Sequence, residues 1–196
     1  MKTYLVYCHP DRDSFVAAAR DRALAGLRGA GHEVRVSDLY AEGFRPELSA
    51  WERTHHLDPP ATKPEIAEPA DNLRWCDTLV FVYPTWWSGQ PAMLKGWFDR
   101  VWVAGVAYEL PPGANRITPL LRNIRRLVVI TTHGSSKLIN AAQGEGGKRV
   151  VSRSLRVLCS RRARTDWIAL YGVDRSSVKR REKYLQRVER RMRSLR

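Results

Sequence analysis

One stretch, residues 77–102, limits the folds open to this chain more than any other. It begins with an uninterrupted apolar run at 78–83 and continues into a short turn that contains Trp86 and Trp87. After Pro91, apolar residues recur at the spacing of one helix face. Because the apolar run does not alternate with polar residues, it predicts a strand buried on both faces, as in a parallel sheet.

Similar strand-like runs recur along the chain, with helical segments between them. The predicted strands are 3–8, 32–39, 78–83, 126–132 and 165–171, and the predicted helices are 15–28, 91–102, 148–160 and a last helix capped by Asp174. This alternation predicts a parallel sheet covered by helices on both faces. Among such sheets the flavodoxin-like order is 2-1-3-4-5, and we expect an α/β, flavodoxin-like three-layer sandwich whose five strands lie in that order, as a single domain over residues 1–196.

Residues 40–69 are the least regular part of the chain and contain five prolines. We predict a long excursion with one helical turn within 48–56, followed by the end of a short helix at 70–76. Long loops in compact domains are usually functional or mobile, so the sequence leaves open whether this excursion covers a site.

The formal net charge of +14 is unevenly distributed. Residues 122–196 contain 21 Lys and Arg and 5 Asp and Glu, which gives +16, whereas residues 1–121 sum to −2. A basic half of this kind attracts nucleic acid, anionic lipid or phosphorylated ligands, or it is simply a solvated surface.

The three cysteines, Cys8, Cys76 and Cys159, are solitary. No Cys/His spacing suits a metal, and neither a disulfide framework nor a metal site is expected. No run approaches the roughly 18 apolar residues of a membrane span, and the first residues lack a signal-peptide pattern. We expect a cytoplasmic protein without a membrane span.

Three loops follow the carboxyl ends of predicted strands 1, 3 and 4, where an open α/β sheet binds its ligands. Ser14 in the first loop precedes a helix, whose free N–H groups and dipole suit a phosphate. Trp86 and Trp87 in the second loop offer flat aromatic surfaces, unlike Trp97 and Trp102, which we expect in the core. Gly134 in the third loop allows close approach to the backbone. A flavin mononucleotide requires a phosphate cradle, an aromatic wall and a polar backbone edge of this kind.

Several segments resemble the NAD(P)H:quinone oxidoreductase family of flavodoxin-like flavoproteins, which includes the potassium-efflux regulatory oxidoreductases and the modulator-of-drug-activity quinone reductases. The similar segments are 9–15, 37–46, 84–100 and 131–134. The run at 89–97 matches a specific G-x-P-A-x-L-K-G-W pattern. The resemblance covers most of residues 1–136.

The resemblance implies a homodimer that binds FMN or FAD, takes hydride from NADH or NADPH, and reduces a quinone-like acceptor by a two-electron ping-pong reaction. The short chain favours FMN. The implied flavin residues fall into three groups: His9, Ser14 and Phe15 at the phosphate; Pro84, Thr85, Trp86 and Trp87 at the isoalloxazine edge; and Thr131, Thr132, His133 and Gly134 at the pyrimidine side.

Three departures from the family pattern stand out. Val16 stands where the mammalian enzymes carry an asparagine, and His133 replaces a usual glycine. The mammalian tyrosine after the fourth strand is absent, because residues 137–140 read Lys-Leu-Ile-Asn. His133 therefore either adds a group that titrates near neutral pH or lies at the rim of the site.

Two other functions are open on the same fold. A regulatory or binding protein would dock a membrane protein, an anionic membrane surface or nucleic acid through the basic carboxyl half, with flavin as a sensor or absent. Peripheral membrane association is compatible with that charge, whereas we do not expect a stable nucleic-acid complex. A single-electron carrier is disfavoured, since such flavodoxins are usually acidic.

Overall fold

The computed structural model describes residues 1–58 and 64–196. Its strands are β1 Lys2–Tyr7, β2 Glu33–Asp38, β3 Thr78–Pro84, β4 Tyr108–Glu109, β5 Thr118–Pro119, β6 Arg126–His133 and β7 Arg164–Tyr171. The order β2-β1-β3-β6-β7 is parallel throughout, while β4 and β5 form a separate antiparallel pair. This arrangement confirms the predicted order 2-1-3-4-5, because β6 and β7 are the fourth and fifth strands of the main sheet.

Helices connect the strands of the main sheet. They are α1 Phe15–Gly29, α2 Ala50–Thr54, α3 Ala67–Trp75, α4 Ala92–Val101, α5 Lys137–Ala142, α6 Gly146–Arg149 and α7 Val178–Arg193. A π-helical segment, Val150–Leu155, continues α6, and 3₁₀ turns occur at Pro64–Ile66, Arg156–Leu158 and Val173–Arg175.

The sheet separates two apolar cores. All seven residues of β3 are buried, as the continuous apolar run predicts. Tyr4 and Val6 of β1 pack into one core with Trp97 of α4, whereas Leu5 and Tyr7 pack into the other with α1 and α7. Successive side chains of a strand point to opposite faces, so the alternation in β1 places one helical layer on each side of the sheet.

The irregular excursion is fastened to α4 by a buried arginine. The Arg100 guanidinium donates to Glu52 Oε1 at 2.8 Å, to Glu65 Oε2 at 2.5 Å and to the Arg45 carbonyl. Glu52 also completes a capping box with Ser49 at the start of α2. The predicted helical turn is therefore α2, while residues 59–63 of the excursion lie outside the described residues.

Two helix predictions need correction. The last helix is capped by Ser177, whose hydroxyl accepts from the Arg180 N–H at 3.3 Å, and Asp174 lies instead in the preceding 3₁₀ turn. The segment predicted as one helix over 148–160 is divided into α, π and 3₁₀ turns. Short helix α5 and the pair β4–β5 were not predicted, because elements of two to six residues are too short to show a hydrophobic period.

Buried side chains include the two helix tryptophans and all three cysteines. Trp97 and Trp102 lie in the core, as predicted. Cys8, Cys76 and Cys159 are free thiols with no exposed surface. Over the residues that the structure describes, no helix is both long and apolar enough to cross a membrane.

Candidate functional site

The sheet brings the three predicted loops to one edge. Strand β3 lies between β1 and β6, and the Cys8 N–H donates to the Val82 carbonyl at 3.0 Å. On the other side of β3, the Thr85 N–H donates to the Thr132 carbonyl at 2.8 Å. Because all three strands are parallel, the loops that follow them start side by side and form a crevice beyond the carboxyl ends.

The first loop forms the start of α1. The Ser14 hydroxyl accepts from the Ala17 N–H at 3.1 Å and caps the helix. The N–H groups of Phe15 and Val16 lie in the first turn, where an α-helix offers no internal acceptor. These donors and the positive end of the helix dipole suit an anionic group.

His9 and Phe15 contribute to the crevice in different ways. His9 Nδ1 lies 3.0 Å from both the backbone nitrogen and the carbonyl oxygen of Asp11, so the imidazole is held against the first loop. Phe15 packs against α7, with its ring centroid 5.9 Å from that of Tyr184 and 5.9 Å from the Arg181 guanidinium carbon. The half-buried Phe15 ring therefore fixes the first turn of α1 against α7.

The second loop is a tight turn with unusual residues at its centre. Trp86 and Gly89 exchange backbone hydrogen bonds of 3.2 and 3.0 Å. The central residues, Trp87 and Ser88, have φ values of 49° and 61°, which defines a type I′ turn. Glycine and asparagine normally occupy these positions, and a left-handed conformation costs about 1–2 kcal/mol per ordinary residue.

Contacts from α5 and α6 hold this turn in place. The Ser88 hydroxyl donates to Gln143 Oε1 at 2.6 Å, and the Gly147 N–H donates to the Ser88 carbonyl at 2.9 Å. Gln90 Nε2 adds a 2.8 Å bond to the Gly147 carbonyl. Strained backbone that its surroundings fix in this way is found most often at functional sites.

The two tryptophans of the turn are exposed. Trp87 is fully accessible, and 42% of Trp86 is accessible. The Trp86 ring centroid lies 6.1 Å from that of His9, so the first and second loops meet there. Pro84, the last residue of β3, is buried beneath them. Both indoles are thus exposed, unlike that of Trp97, and their contact with a flat ligand stays a prediction.

The third loop lies mostly below the surface. Thr131, Thr132 and His133 are buried, and only Gly134 of the four predicted residues is exposed. The Thr131 and Thr85 hydroxyls are 3.0 Å apart and join β6 to the second loop. A side chain at position 134 would come within 2.8 Å of Asp174 Oδ2, so the glycine here makes room for a carboxylate of the chain itself.

His133 is held in one tautomer by Asn140. Asn140 Nδ2 donates to the Ser135 hydroxyl and the Ser136 carbonyl, both at 2.8 Å, so its Oδ1 accepts from His133 Nδ1 at 2.8 Å. The acceptor nitrogen Nε2 lies 3.5 Å from the Thr85 hydroxyl. Burial lowers the pKa of His133, and the hydrogen bond to Asn140 offsets only part of that effect.

The His133 ring also stacks on Tyr171 of β7, with centroids 4.5 Å apart and planes 17° from parallel. His133 is therefore a neutral, fixed side chain between the second loop and β7. Sequence reasoning did not identify Asn140 or Tyr171, because they lie on other elements and belong to no motif.

These residues fit a flavin mononucleotide better than a metal. The crevice offers backbone donors at the start of α1 for a phosphate, uncovered indoles for a ring, and the Thr85 hydroxyl, which the buried Thr131 hydroxyl holds at 3.0 Å. Within residues 1–58 and 64–196, no group of three or more His, Cys, Asp or Glu side chains is arranged to hold a metal ion.

Comparison with known proteins agrees with this architecture. The family model described as flavodoxin-like fold matches residues 1–194. The NAD(P)H dehydrogenase [quinone] 1 of Rattus norvegicus is 31% identical over 166 residues, which cover 76% of this chain and 60% of the rat protein. This chain therefore spans about 60% of the length of that relative.

Two solved structures resemble the chain over nearly its whole length. The NAD(P)H:quinone oxidoreductase from Methanothermobacter marburgensis is 32% identical with a TM-score of 0.82, and the match covers 100% of this chain and 99% of that one. An FMN-dependent NADH-azoreductase from Bacillus anthracis, solved in complex with FMN, shares the fold at 15% identity, with a TM-score of 0.74 and 97% coverage of both chains. The chain therefore belongs to the flavodoxin-like fold family, and its resemblance to the NAD(P)H:quinone oxidoreductases within that family is confirmed.

Proposed function

We propose that this protein is a flavin-dependent NAD(P)H oxidoreductase that transfers two electrons to quinones or related electrophilic acceptors. The observation that carries the proposal is the exposed tryptophan turn, held in a strained conformation beside the amino terminus of α1. The names of the quinone oxidoreductase relatives support the reaction class.

FMN is the cofactor we propose, and the FMN complex of the Bacillus anthracis structure supports that choice. When bound, the flavin supplies the hydride chemistry, accepting from NADH or NADPH and reducing the acceptor. The residues that we propose to hold it are those of the three loops: His9, Ser14 and Phe15 at the phosphate; Pro84, Thr85, Trp86 and Trp87 at the ring edge; and Thr131, Thr132, His133 and Gly134 at the pyrimidine side.

We propose a distinct role for each group of residues. The N–H groups of Phe15 and Val16 neutralise an anion without a buried cation. Trp86 and Trp87 cover the ring and exclude water from it. Thr131 and His133 are buried, so they act by orienting the Thr85 hydroxyl, which lies within 3.5 Å of both.

We further propose a homodimer located in the cytoplasm. The Trp87 side chain is fully exposed, and that of Leu138, at the start of α5, is 80% exposed. Gln143 joins α5 to the tryptophan turn. Apolar surface beside a site is commonly covered by a partner, and a second copy of the chain is the usual one. Free buried thiols agree with a reducing compartment.

Cofactor binding is the direct test. The purified protein would be saturated with FMN or FAD, separated from free flavin, and examined by absorption and by oxidation of NADH and NADPH with a quinone. We expect a yellow bound fraction, quinone-dependent oxidation and parallel double-reciprocal plots, as a ping-pong reaction requires. Absence of bound flavin and of NAD(P)H oxidation would disprove the proposal and favour the regulatory or binding alternative.

A matched pair of variants locates the site. Trp86→Ala removes part of the proposed ring wall, and we expect flavin affinity to fall by about tenfold, since an aromatic contact contributes roughly 1 kcal/mol or more. Trp51→Ala removes a tryptophan of similar exposure (48%) on α2 and should leave flavin affinity unchanged. Equal losses in both variants would place the flavin elsewhere.

A further inference from the structure

A second cavity lies at the edge of the sheet, and Tyr171 of its lining stacks on His133 of the third loop. It is a groove of about 830 Å³ between the edge strand β7 and helix α7. Its cations are Lys137, Lys148, Arg180, Lys183, Arg187 and Arg190, and its lining among the described residues contains no carboxylate. We call it the β7–α7 groove.

The cations of α7 form one continuous row. Arg180, Lys183, Arg187 and Arg190 follow one another at spacings of three, four and three residues, which places them on one helix face. The row is about 15 Å long at 1.5 Å per residue. Lys183 and Arg190 make no ion pair or side-chain hydrogen bond with any residue that the structure describes.

The strand side of the groove consists of backbone donors. The N–H groups of Arg164 and Gly172 donate toward the β6 side, to the carbonyls of Arg125 and Ser135, so the even-numbered residues of β7 face β6 and the odd-numbered ones face the groove. Since β7 pairs only with β6, the backbone N–H groups of Trp167, Ala169 and Tyr171 point away from the sheet, toward the groove.

Arginines of α7 occupy the outward carbonyls of the same strand. Arg187 Nη2 donates to the Ala169 carbonyl at 2.7 Å, and Arg180 Nη2 donates to the Tyr171 carbonyl at 2.9 Å. The groove therefore presents N–H donors and positive charge, and two of its outward backbone acceptors, the carbonyls of Ala169 and Tyr171, are already in use.

These properties select the class of ligand. An added β-strand needs acceptors as well as donors from the edge, so a peptide strand fits poorly. A flat bilayer does not enter a concave groove, whereas a volume of about 830 Å³ is typical of small-molecule sites. Linked phosphates offer only acceptor oxygens and carry closely spaced negative charges, which match the row on α7.

We propose that the β7–α7 groove is a binding site for a polyphosphate group, with Lys183 and Arg190 as its charge contacts. The inference is independent of the flavin site, because none of the proposed flavin residues lines the groove. The bound group is either inorganic polyphosphate or the phosphate chain of a nucleotide, since both offer the same chemistry.

Calorimetric titration of the flavin-loaded protein with sodium tripolyphosphate tests the proposal. We expect saturable binding that weakens between about 50 and 200 mM salt, as phosphate contacts do. The double variant Lys183→Ala/Arg190→Ala should weaken binding by about tenfold or more. Lys179→Ala/Arg161→Ala, which removes the same charge at exposed positions outside the groove, should change it by less than about twofold.

Further measurements identify the class of ligand and test whether the groove is independent of the proposed flavin site. Binding of adenosine triphosphate at a similar affinity supports the shared phosphate chemistry, whereas binding of long single-stranded oligonucleotides or anionic vesicles without tripolyphosphate overturns the proposal. Equal losses in the two double variants also overturn it, because they indicate general charge attraction. NAD(P)H oxidation should be unchanged in Lys183→Ala/Arg190→Ala, so failure of this proposal is distinct from failure of the proposed oxidoreductase.

Discussion

Trp87 has a strained, left-handed backbone, and this strain bears on the binding role that we propose for its side chain. Its side chain is fully exposed in the isolated chain, so it contributes no burial that offsets the strained φ of 49°. Natural proteins retain such strain mainly at functional sites, where it positions a side chain for binding or catalysis. We infer that Trp87 is held ready for a ligand or a partner.

Substitution of Trp87 separates strain from binding. Trp87→Gly should make the flavin-free protein more stable than Trp87→Ala by roughly 1 kcal/mol, because only glycine adopts this φ without steric cost. Both variants should lose flavin affinity to a similar extent. Urea unfolding of the two flavin-free variants measures the difference, and equal stabilities would show that the turn is unstrained.

His133 provides a second prediction at this scale. Burial lowers its pKa, so the folded protein holds the neutral ring while the unfolded chain binds a proton more readily. The stabilisation from the neutral ring is therefore complete above about pH 6.5 and is lost as the pH falls from there through the lower pKa of the folded state.

Imidazole resonances recorded against pH test this behaviour. The signal that disappears in His133→Gln should titrate below the ordinary histidine value. The same variant, which cannot become charged, should show a smaller loss of stability between neutral and mildly acid pH. A His133 signal that titrates above 6.5 would contradict the buried, neutral assignment.

Individual site residues could be predicted from the sequence where their role depends on residues near them in the chain. The exposed pair Trp86 and Trp87 was predictable, because both follow the end of a buried strand. The neutral state of His133 was not, since it depends on Asn140 and Tyr171, which fold back from other elements. Gly134 was expected to admit a ligand, yet its missing side chain makes room for Asp174.

At the scale of elements, one buried arginine joins the excursion to α4. Arg100 bonds to two carboxylates and a carbonyl from three separate segments, and both Arg100 and Glu52 are almost fully buried. Removing one partner of a buried pair leaves the other charge uncompensated, which typically costs about 3–5 kcal/mol.

Arg100→Met should therefore destabilise the protein by about 3–5 kcal/mol. Lys95→Met on the same helix breaks only the exposed pair with Asp99 and should cost less than about 1 kcal/mol. Denaturant unfolding gives both values. Adding Glu52→Gln to Arg100→Met should recover part of the loss, and additive effects of the two changes would contradict the pairing.

The same cluster makes part of the free energy of unfolding sensitive to acid. Burial acts to raise the pKa of Glu52, but hydrogen bonds from Ser49 and Arg100 outweigh it and lower the pKa below the ordinary 4.5. A carboxylate with a lowered folded pKa stabilises above the unfolded pKa and loses that effect as the pH falls through the folded value. Glu52→Gln should therefore differ most from the parent near neutral pH and least below about pH 4 in unfolding experiments.

Strands and helices were predictable where their hydrophobic pattern extends over many residues. The five main strands are long apolar or alternating runs, and the alternation of strands and helices predicts that they pair in parallel, as they do. Helix α5 and the pair β4–β5 escaped, because their bounds depend on tertiary hydrogen bonds such as the capping bond of Ser136 to the Ile139 N–H. The last helix is capped by Ser177 and not by Asp174 for the same reason.

At the scale of the whole molecule, exposed apolar residues and clustered basic residues lie on different parts of the surface, and each part is a proposed binding surface. The apolar surface around Trp87 and Leu138 adjoins the crevice, whereas the β7–α7 groove is basic. We therefore expect two copies of the chain to meet at the apolar surface and the groove to stay accessible.

Sedimentation equilibrium tests this arrangement. The parent protein should be a dimer, and Leu138→Glu should be monomeric with reduced NAD(P)H oxidation, because a buried unpaired carboxylate opposes association. Val178→Glu introduces the same charge at a similarly exposed apolar residue (83%) on α7 and should stay dimeric. A monomeric parent protein at micromolar concentration would rule out this interface.

The enclosed thiols have a consequence for the chemistry proposed for this protein. Quinones are electrophiles that add to thiolates, and burial raises the pKa of Cys8 and of Cys159 to about 12 each and also raises that of Cys76. None of the three sulfurs is available to such a reagent while the chain is folded. A protein that binds quinones is thereby spared arylation by its own substrate, and any thiol modification reports the fraction of molecules that have opened.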